Sequence, residues 1–184
     1  GAGTLVALNE LFGKKLDAEA LCAVGDKIGA DVPICIKGGT LYSITSGDMI
    51  AAECDTNCVF VCIYPDFTLS TAEAYTKYDE NPTEINPHYA DFVSSIVCGS
   101  LSEGAGFISN VFTEIYHDSR IEEMKNDLLE SGAVISEMTG SGSVVFGVFE
   151  SEETAAYAKK ILSGKYPHVF TTRPVNCGVY VLER

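Results

Sequence analysis

The chain has 184 residues, 26 of them acidic against 12 basic, for a formal net charge of −14. An acidic field of that size repels nucleic acid and anionic membranes at long range, so a phosphate ligand would have to be held by local groups. With 46% hydrophobic and 21% charged residues the sequence can bury a core, and its longest apolar run, residues 58–64, is too short to cross a bilayer.

The seven cysteines form no Cys-x-x-Cys pair and are odd in number, so they read as free thiols packed as small hydrophobes. That usage suits a reducing compartment, and a cytoplasmic location is expected. Cys58 and Cys62 share one strand face without converging on a point. His88, His117 and His168 have no ligand-pair spacing, so no metal site is expected. The chain begins at Gly1 with no signal-peptide pattern, which reads as a processed or partial chain.

Residues 2–12 place Leu5, Leu8, Leu11 and Phe12 on one helical face, with Gly13 as the stop. Asp17 is an N-cap for a second helix, with Leu21, Val24 and Ile28 inward, Gly25 weakening it and Gly29 ending it. Gly29-Ala30-Asp31-Val32-Pro33 follows, then the apolar Ile34-Cys35-Ile36. Asp31 is a carboxylate among apolar neighbours at an expected helix-to-strand corner, with Pro33 keeping Val32 extended. Two readings stay open for it. One is a turn aspartate bonded to its own backbone. The other is a proton acceptor whose basicity is set by partial burial and a nearby cation.

Lys37-Gly38-Gly39 and Ser46-Gly47-Asp48 turn the chain around short strands at 40–45 and 49–52. The polar stretch 53–57 marks a boundary, giving domains 1–56 and 57–184. A buried strand at 58–64 ends at Pro65, and Ser70 or Thr71 caps a helix running to about Tyr78. After a loop at 81–87, helices cover 89–98, 106–115 (containing Asn110) and 120–129, the last with Ile121, Met124, Leu128 and Leu129 inward. Strands at 133–138 and 144–149 precede a helix at 152–162 and a final strand pair across 169–182.

Between the two middle strands runs Met138-Thr139-Gly140-Ser141-Gly142-Ser143. Gly140 and Gly142 permit positive φ, and Ser141 and Ser143 add hydroxyl donors. No helix follows, so neither a Walker loop nor a dinucleotide fingerprint applies. Successive N–H groups here can turn inward as an anion-holding nest. An ordinary hairpin loop is the alternative.

From residue 58 the order strand, helix, strand, strand, helix, strand, with extra helices set aside, is the ferredoxin-like split βαβ of an α+β domain. Order alone leaves function open. Three motifs narrow it: Gly29-Ala30-Asp31-Val32-Pro33, Leu69-Ser70-Thr71-Ala72-Glu73-Ala74-Tyr75, and Met138 to Ser143 followed by Val-Val-Phe-Gly. With the opening Thr4-Leu5-Val6-Ala7-Leu8-Asn9-Glu10-Leu11-Phe12 they resemble the GHMP kinases (galactokinase, homoserine, mevalonate and phosphomevalonate kinases), most of all the member serving non-mevalonate isoprenoid synthesis. The resemblance implies the remainder of a ribosomal S5 domain 2-like N-terminal domain over 1–56, then the family's ferredoxin-like βαββαβ C-terminal domain. It also implies an ATP-dependent phosphotransferase, with Mg²⁺, acting on an alcohol of a small molecule. Asp31 matches the family's catalytic base. Gly140, Ser141, Gly142 and Ser143 match its third motif, beside the phosphates. Thr71 and Tyr75 match positions lining a cytidine pocket, where the face of Tyr75 would stack on cytosine; packing on the sheet is the alternative for that ring. Asn110 receives no role.

The family's glycine-rich phosphate loop and its lysine-bearing strand do not occur in this sequence. The expectation is therefore a partial chain, inactive by itself. Its incomplete N-terminal sheet would leave an apolar surface that invites a homodimer or disorder. A homoserine or mevalonate-type acceptor, and a non-catalytic ferredoxin-like module binding a ligand or partner, stand as alternatives.

Overall fold

The computed structural model describes residues 1–43, 50–52, 57–82, 88–97 and 101–182, Tyr89 by its backbone alone. The predicted turn at 46–48, and most of the stretches 53–57 and 81–87, lie outside the described residues. The chain falls into two compact units: Gly1–Cys54 with Pro174–Arg184, and Asp55–Arg173.

The first unit contains α1 (Ala2–Leu11), α2 (Ala18–Asp26), α3 (Asp31–Lys37) and a short antiparallel hairpin, β1 (Leu41–Tyr42) with β2 (Ile50–Ala51). Asp17 caps α2 as expected, its Oδ1 accepting from the Ala20 N–H at 2.8 Å. The helix-to-strand corner after Gly29 is a helix instead. Pro33 sits in the first turn of α3, where a missing N–H removes no intrahelical bond, and the Val32 N–H donates to Gly29 O at 3.0 Å. Val32 is thus helical rather than extended. Gly25 does more than weaken α2. A Cβ there would stand 2.8 Å from Val32 Cγ1, so its bareness admits α3.

Leu21 is buried in this unit, but Val24 and Ile28 are exposed, as are Leu8, Leu11 and Phe12 of the opening helix. Periodicity identifies residues that share a face and not whether anything covers it, which is why the inward assignment fails for Val24 and Ile28. The C-terminal segment from Pro174, expected to belong to the second domain as one half of a strand pair, groups with this unit and has no strand in its described residues. The Val179 N–H donates to Cys35 O at 3.0 Å. Gly38 and Gly178 allow that backbone approach, since a Cβ on Gly38 would lie 1.9 Å from the Gly178 nitrogen.

The second unit contains β3 (Val59–Tyr64), α4 (Thr71–Glu80), α5 (Tyr89–Val97), α6 (Leu101–Gly104), a 3-10 turn at Ala105–Phe107, α7 (Val111–Tyr116), α8 (Ser119–Glu130), β4 (Ile135–Met138), β5 (Val145–Phe149), α9 (Glu152–Leu162) and β6 (His168–Thr172). Its strands make one sheet in the order β4-β5-β3-β6 with antiparallel neighbours, the ferredoxin-like arrangement expected. Val61 pairs with Gly147 on one side and Thr171 on the other. Alternation decides the faces. Val59, Val61, Ile63, Val145 and Phe149 meet Ile121, Met124 and Leu128 of α8 and Ala155, Ala158 and Leu162 of α9. Cys58, Phe60, Phe146 and Val148 point the other way, toward Phe92, Leu101 and Ala105. Each large side chain sealed in this way contributes about 2 kcal/mol. Leu129 is exposed on α8, against the expectation. Gly147 lets α8 lie close to the sheet, because a Cβ there would be 3.0 Å from both Ala133 Cβ and Leu128 Cδ2. Cys58 and Cys62 are buried and outside any disulfide, and burial pushes the Cys62 thiol pKa up.

Candidate functional site

The Gly-Ser hairpin is closed by the Thr139 N–H, which donates to Val144 O at 2.9 Å, and by the Gly142 N–H, which donates to Thr139 O at 3.0 Å. Gly140 (φ +55°) and Gly142 (φ +89°) both occupy the left-handed region that favours glycine. Gly142 is also crowded, since a Cβ there would stand 2.7 Å from Met138 Sδ and 2.8 Å from Leu69 Cδ1.

Three residues from elsewhere tie the turn down. Ser143 Oγ donates to Phe67 O at 2.7 Å. Ser141 Oγ lies 2.8 Å from Thr71 Oγ1 at the start of α4. The Asn110 side-chain amide donates to Met138 O at 2.7 Å and to Gly140 O at 2.8 Å. With those groups engaged, the N–H groups of Gly140, Ser141 and Ser143 have no partner among the described residues. Open amides on a braced turn are what an anion-holding nest requires.

Ser70, not Thr71, is the N-cap of α4, its Oγ accepting from the Glu73 N–H at 3.3 Å. This leaves the Thr71 hydroxyl for Ser141. One turn further on, Tyr75 is 56% exposed and meets Phe112 edge-on with ring centroids 5.1 Å apart. It is therefore not sunk against the sheet, and a face of the ring remains open to a ligand. Tyr116 Oη donates to Ser70 O at 2.9 Å, and Lys77 lies 4.9 Å from the Tyr116 ring centroid. Burial raises the Tyr116 phenol pKa, while the Glu73 carboxylate raises that of Lys77.

Thr71, Tyr75 and the Gly140–Ser143 turn thus come together around α7, in the second unit. Asp31 belongs to the first unit, where it opens α3 with an exposed side chain.

Two residues of this neighbourhood escaped sequence reasoning. Asn110, expected inside a helix at 106–115, is instead the N-cap of α7, its Oδ1 accepting from the Phe112 N–H at 2.9 Å. A capping residue just before Val111-Phe112 is the signal that would have placed it. Glu137 is buried at the end of β4. It accepts from Thr113 Oγ1 and from its own neighbour's Met138 N–H, both at 2.7 Å, and Lys125 Nζ lies 3.2 Å away. A buried carboxylate needs such a set of donors, and no local pattern announces them. A groove of about 420 Å³, lined by Asn110, Phe112, Glu137, Thr139 and Gly140 among others, opens beside the turn.

A fold of this order, with a braced Gly-Ser turn between its middle strands, defines a class. Residues 110–168 match the family model described as GHMP kinases C terminal, so this stretch of the chain is similar to the C-terminal domain of those kinases. The chain's relatives include proteins named 4-diphosphocytidyl-2-C-methyl-D-erythritol kinase. The one from Caldanaerobacter subterraneus subsp. tengcongensis is 32% identical over 98% of this chain and 64% of its own length. The one from Clostridium perfringens is 33% identical over 95% of this chain and 62% of its own. The chain thus spans slightly less than two thirds of these relatives. Similar solved structures include homoserine kinase from Cytophaga hutchinsonii (TM-score 0.77, 17% identical, 93% of this chain and 62% of that one). A 4-(cytidine 5'-diphospho)-2C-methyl-D-erythritol kinase gives TM-score 0.69 at 19% identity, over 92% of this chain and 61% of that one. At those identities the two structures speak for the fold alone.

Proposed function

We propose that this chain is part of an ATP-dependent kinase that phosphorylates the 2-hydroxyl of 4-diphosphocytidyl-2-C-methyl-D-erythritol in non-mevalonate isoprenoid precursor synthesis. The observation that carries the reading is the 32% identity to a kinase of that name along 98% of the chain. The braced turn with its open amides supports it chemically.

Phosphoryl transfer depends mainly on positioning and on stabilising charge, so the chain needs few reactive groups of its own. In this reading the Gly140, Ser141 and Ser143 amides face nucleotide phosphate oxygens, and Gly142 provides the turn that aims them. The Thr71 hydroxyl and the open face of Tyr75 hold the cytidine, the ring stacking on the base. Asp31 accepts the proton of the acceptor hydroxyl, or orients that hydroxyl for attack. Among the described residues no group of three or more His, Cys, Asp or Glu could hold a metal ion. Mg²⁺ is therefore assigned to the nucleotide, where it would neutralise phosphate charge, and no step here is routed through it. Among the described residues no helix is long and apolar enough to cross a membrane. A cytoplasmic location and a homodimer through the exposed apolar residues of the first unit complete the reading.

The test is a phosphoryl-transfer assay with ATP, Mg²⁺ and the cytidyl alcohol, on this chain and on the polypeptide of the complete reading frame. Transfer by the longer polypeptide and none by the 184-residue chain is expected. Normal turnover by the 184-residue chain overturns the inactivity assigned to it. Transfer to homoserine or a mevalonate derivative in place of the cytidyl alcohol overturns the substrate.

A further inference from the structure

We infer that Asn110 is the positioning residue that aims the Ser141 N–H at the bound phosphate. The inference deepens the proposed kinase reading and rests on it for the identity of the anion.

In a trans peptide unit the C=O and the following N–H point in opposite directions. The Gly140 carbonyl belongs to the same unit as the Ser141 N–H, and the Met138 carbonyl to the same unit as the Thr139 N–H. Asn110 holds both carbonyls, at 2.8 and 2.7 Å. Both N–H groups are thereby turned away from Asn110. The Thr139 N–H meets Val144 O and closes the hairpin, while the Ser141 N–H is left open. A glycine at position 140 has no steric preference that would fix this orientation by itself, so without the clamp the Gly140–Ser141 unit is free to rotate. Rotation would present a carbonyl oxygen to the anion instead of a donor.

The amide group of Asn110 is fully committed. Its nitrogen gives both protons to the turn, and its oxygen takes the Phe112 N–H. This sets the positioning role apart from the capping role, because Ser and Asp also cap helices but neither offers two donors. The same side chain fastens Phe112, against which Tyr75 packs. One residue therefore registers the phosphate turn with the aromatic wall.

The experiment uses Asn110→Ser and Asn110→Asp, which keep a capping oxygen and so retain α7. In the 15N-labelled 184-residue chain, the Ser141 backbone order parameter is expected to fall from about 0.85 to below about 0.6, with Phe112 unchanged. In the complete polypeptide, the KM for ATP is expected to rise about tenfold with kcat within about threefold, the loss of roughly one net hydrogen bond. Asn110→Asp is expected to be the more severe, since it turns a charged acceptor toward two carbonyl oxygens. An unchanged Ser141 order parameter in both variants overturns the inference. So does a uniform fall in kcat with KM for ATP unmoved. The NMR arm needs no turnover, so failure of the wild-type polypeptide to phosphorylate the cytidyl alcohol would remove the proposed function and leave the clamp to be judged on its own.

Discussion

The hydroxyl oxygens of Thr71 and Ser141 lie 2.8 Å apart, joining the first turn of α4 to the Gly-Ser hairpin across seventy positions of sequence. The contact exists because Ser70 takes the capping duty and frees its neighbour. Thr71→Val keeps the shape and removes the hydroxyl. The KM for the cytidyl alcohol is expected to rise about fivefold in the complete polypeptide, with stability changed by less than about 1 kcal/mol. Thr71→Ser is expected to restore it. Steady-state kinetics and a denaturant midpoint check both statements.

Asp31→Asn at this exposed helix-opening position costs less than about 1 kcal/mol of stability, the loss of a favourable charge at a helix N-terminus. If the carboxylate handles the acceptor proton, kcat in the complete polypeptide falls by about a hundredfold or more, with nucleotide affinity nearly unchanged. Turnover within a few-fold of wild type makes Asp31 a structural residue.

Gly142→Ala is expected to destabilise the second unit by about 2 kcal/mol. The backbone there is at φ +89°, and the added methyl would press on Met138 Sδ and Leu69 Cδ1. Gly140→Ala shares the positive φ without a heavy atom within 4 Å of its Cβ, so it should be the milder of the two. Thermal or urea unfolding of the pair decides the ranking.

Tyr166 gives a pH test. Its Oη donates to Asp127, which also pairs with Lys165 Nζ at 2.6 Å, and burial followed by that hydrogen bond pushes the phenol pKa up from 10.0 to about 12. A folded-state pKa above the unfolded one favours the protonated phenol in the native state. The associated stability is complete below about pH 10 and is lost as pH rises toward 12. Tyr166→Phe should abolish that part of the alkaline decline. The wild-type-minus-variant tyrosinate absorbance should titrate near 12, and a midpoint near 10 would contradict the assignment.

Much of the architecture was legible locally. Asp17 capped the helix it was expected to cap, residues 152–162 formed the helix read from them, and the apolar run at 144–149 gave a buried strand almost to the residue. These are short-range matters, set by hydrogen bonds within a turn and by side-chain periodicity. The apolar Ile34-Cys35-Ile36 misled, because three residues cannot distinguish a strand from a helix and Pro33 is tolerated in a first turn. The candidate residues Thr71, Tyr75 and the hairpin were found by motif. The groups that hold the hairpin, the Asn110 amide and the Phe67 carbonyl, were not.

By itself, then, the amino-acid sequence determined the order of the ferredoxin-like elements between β3 and β6 and the position of a glycine turn able to face an anion. Only the tertiary structure decided that the turn is braced, that Tyr75 keeps an open face, and that Val24 and Ile28 stay in solvent. The reason is distance along the chain. A pattern within one helix or strand reports local geometry, whereas Asn110 and Gly140 become hydrogen-bonding partners only once β4 and α7 have packed side by side.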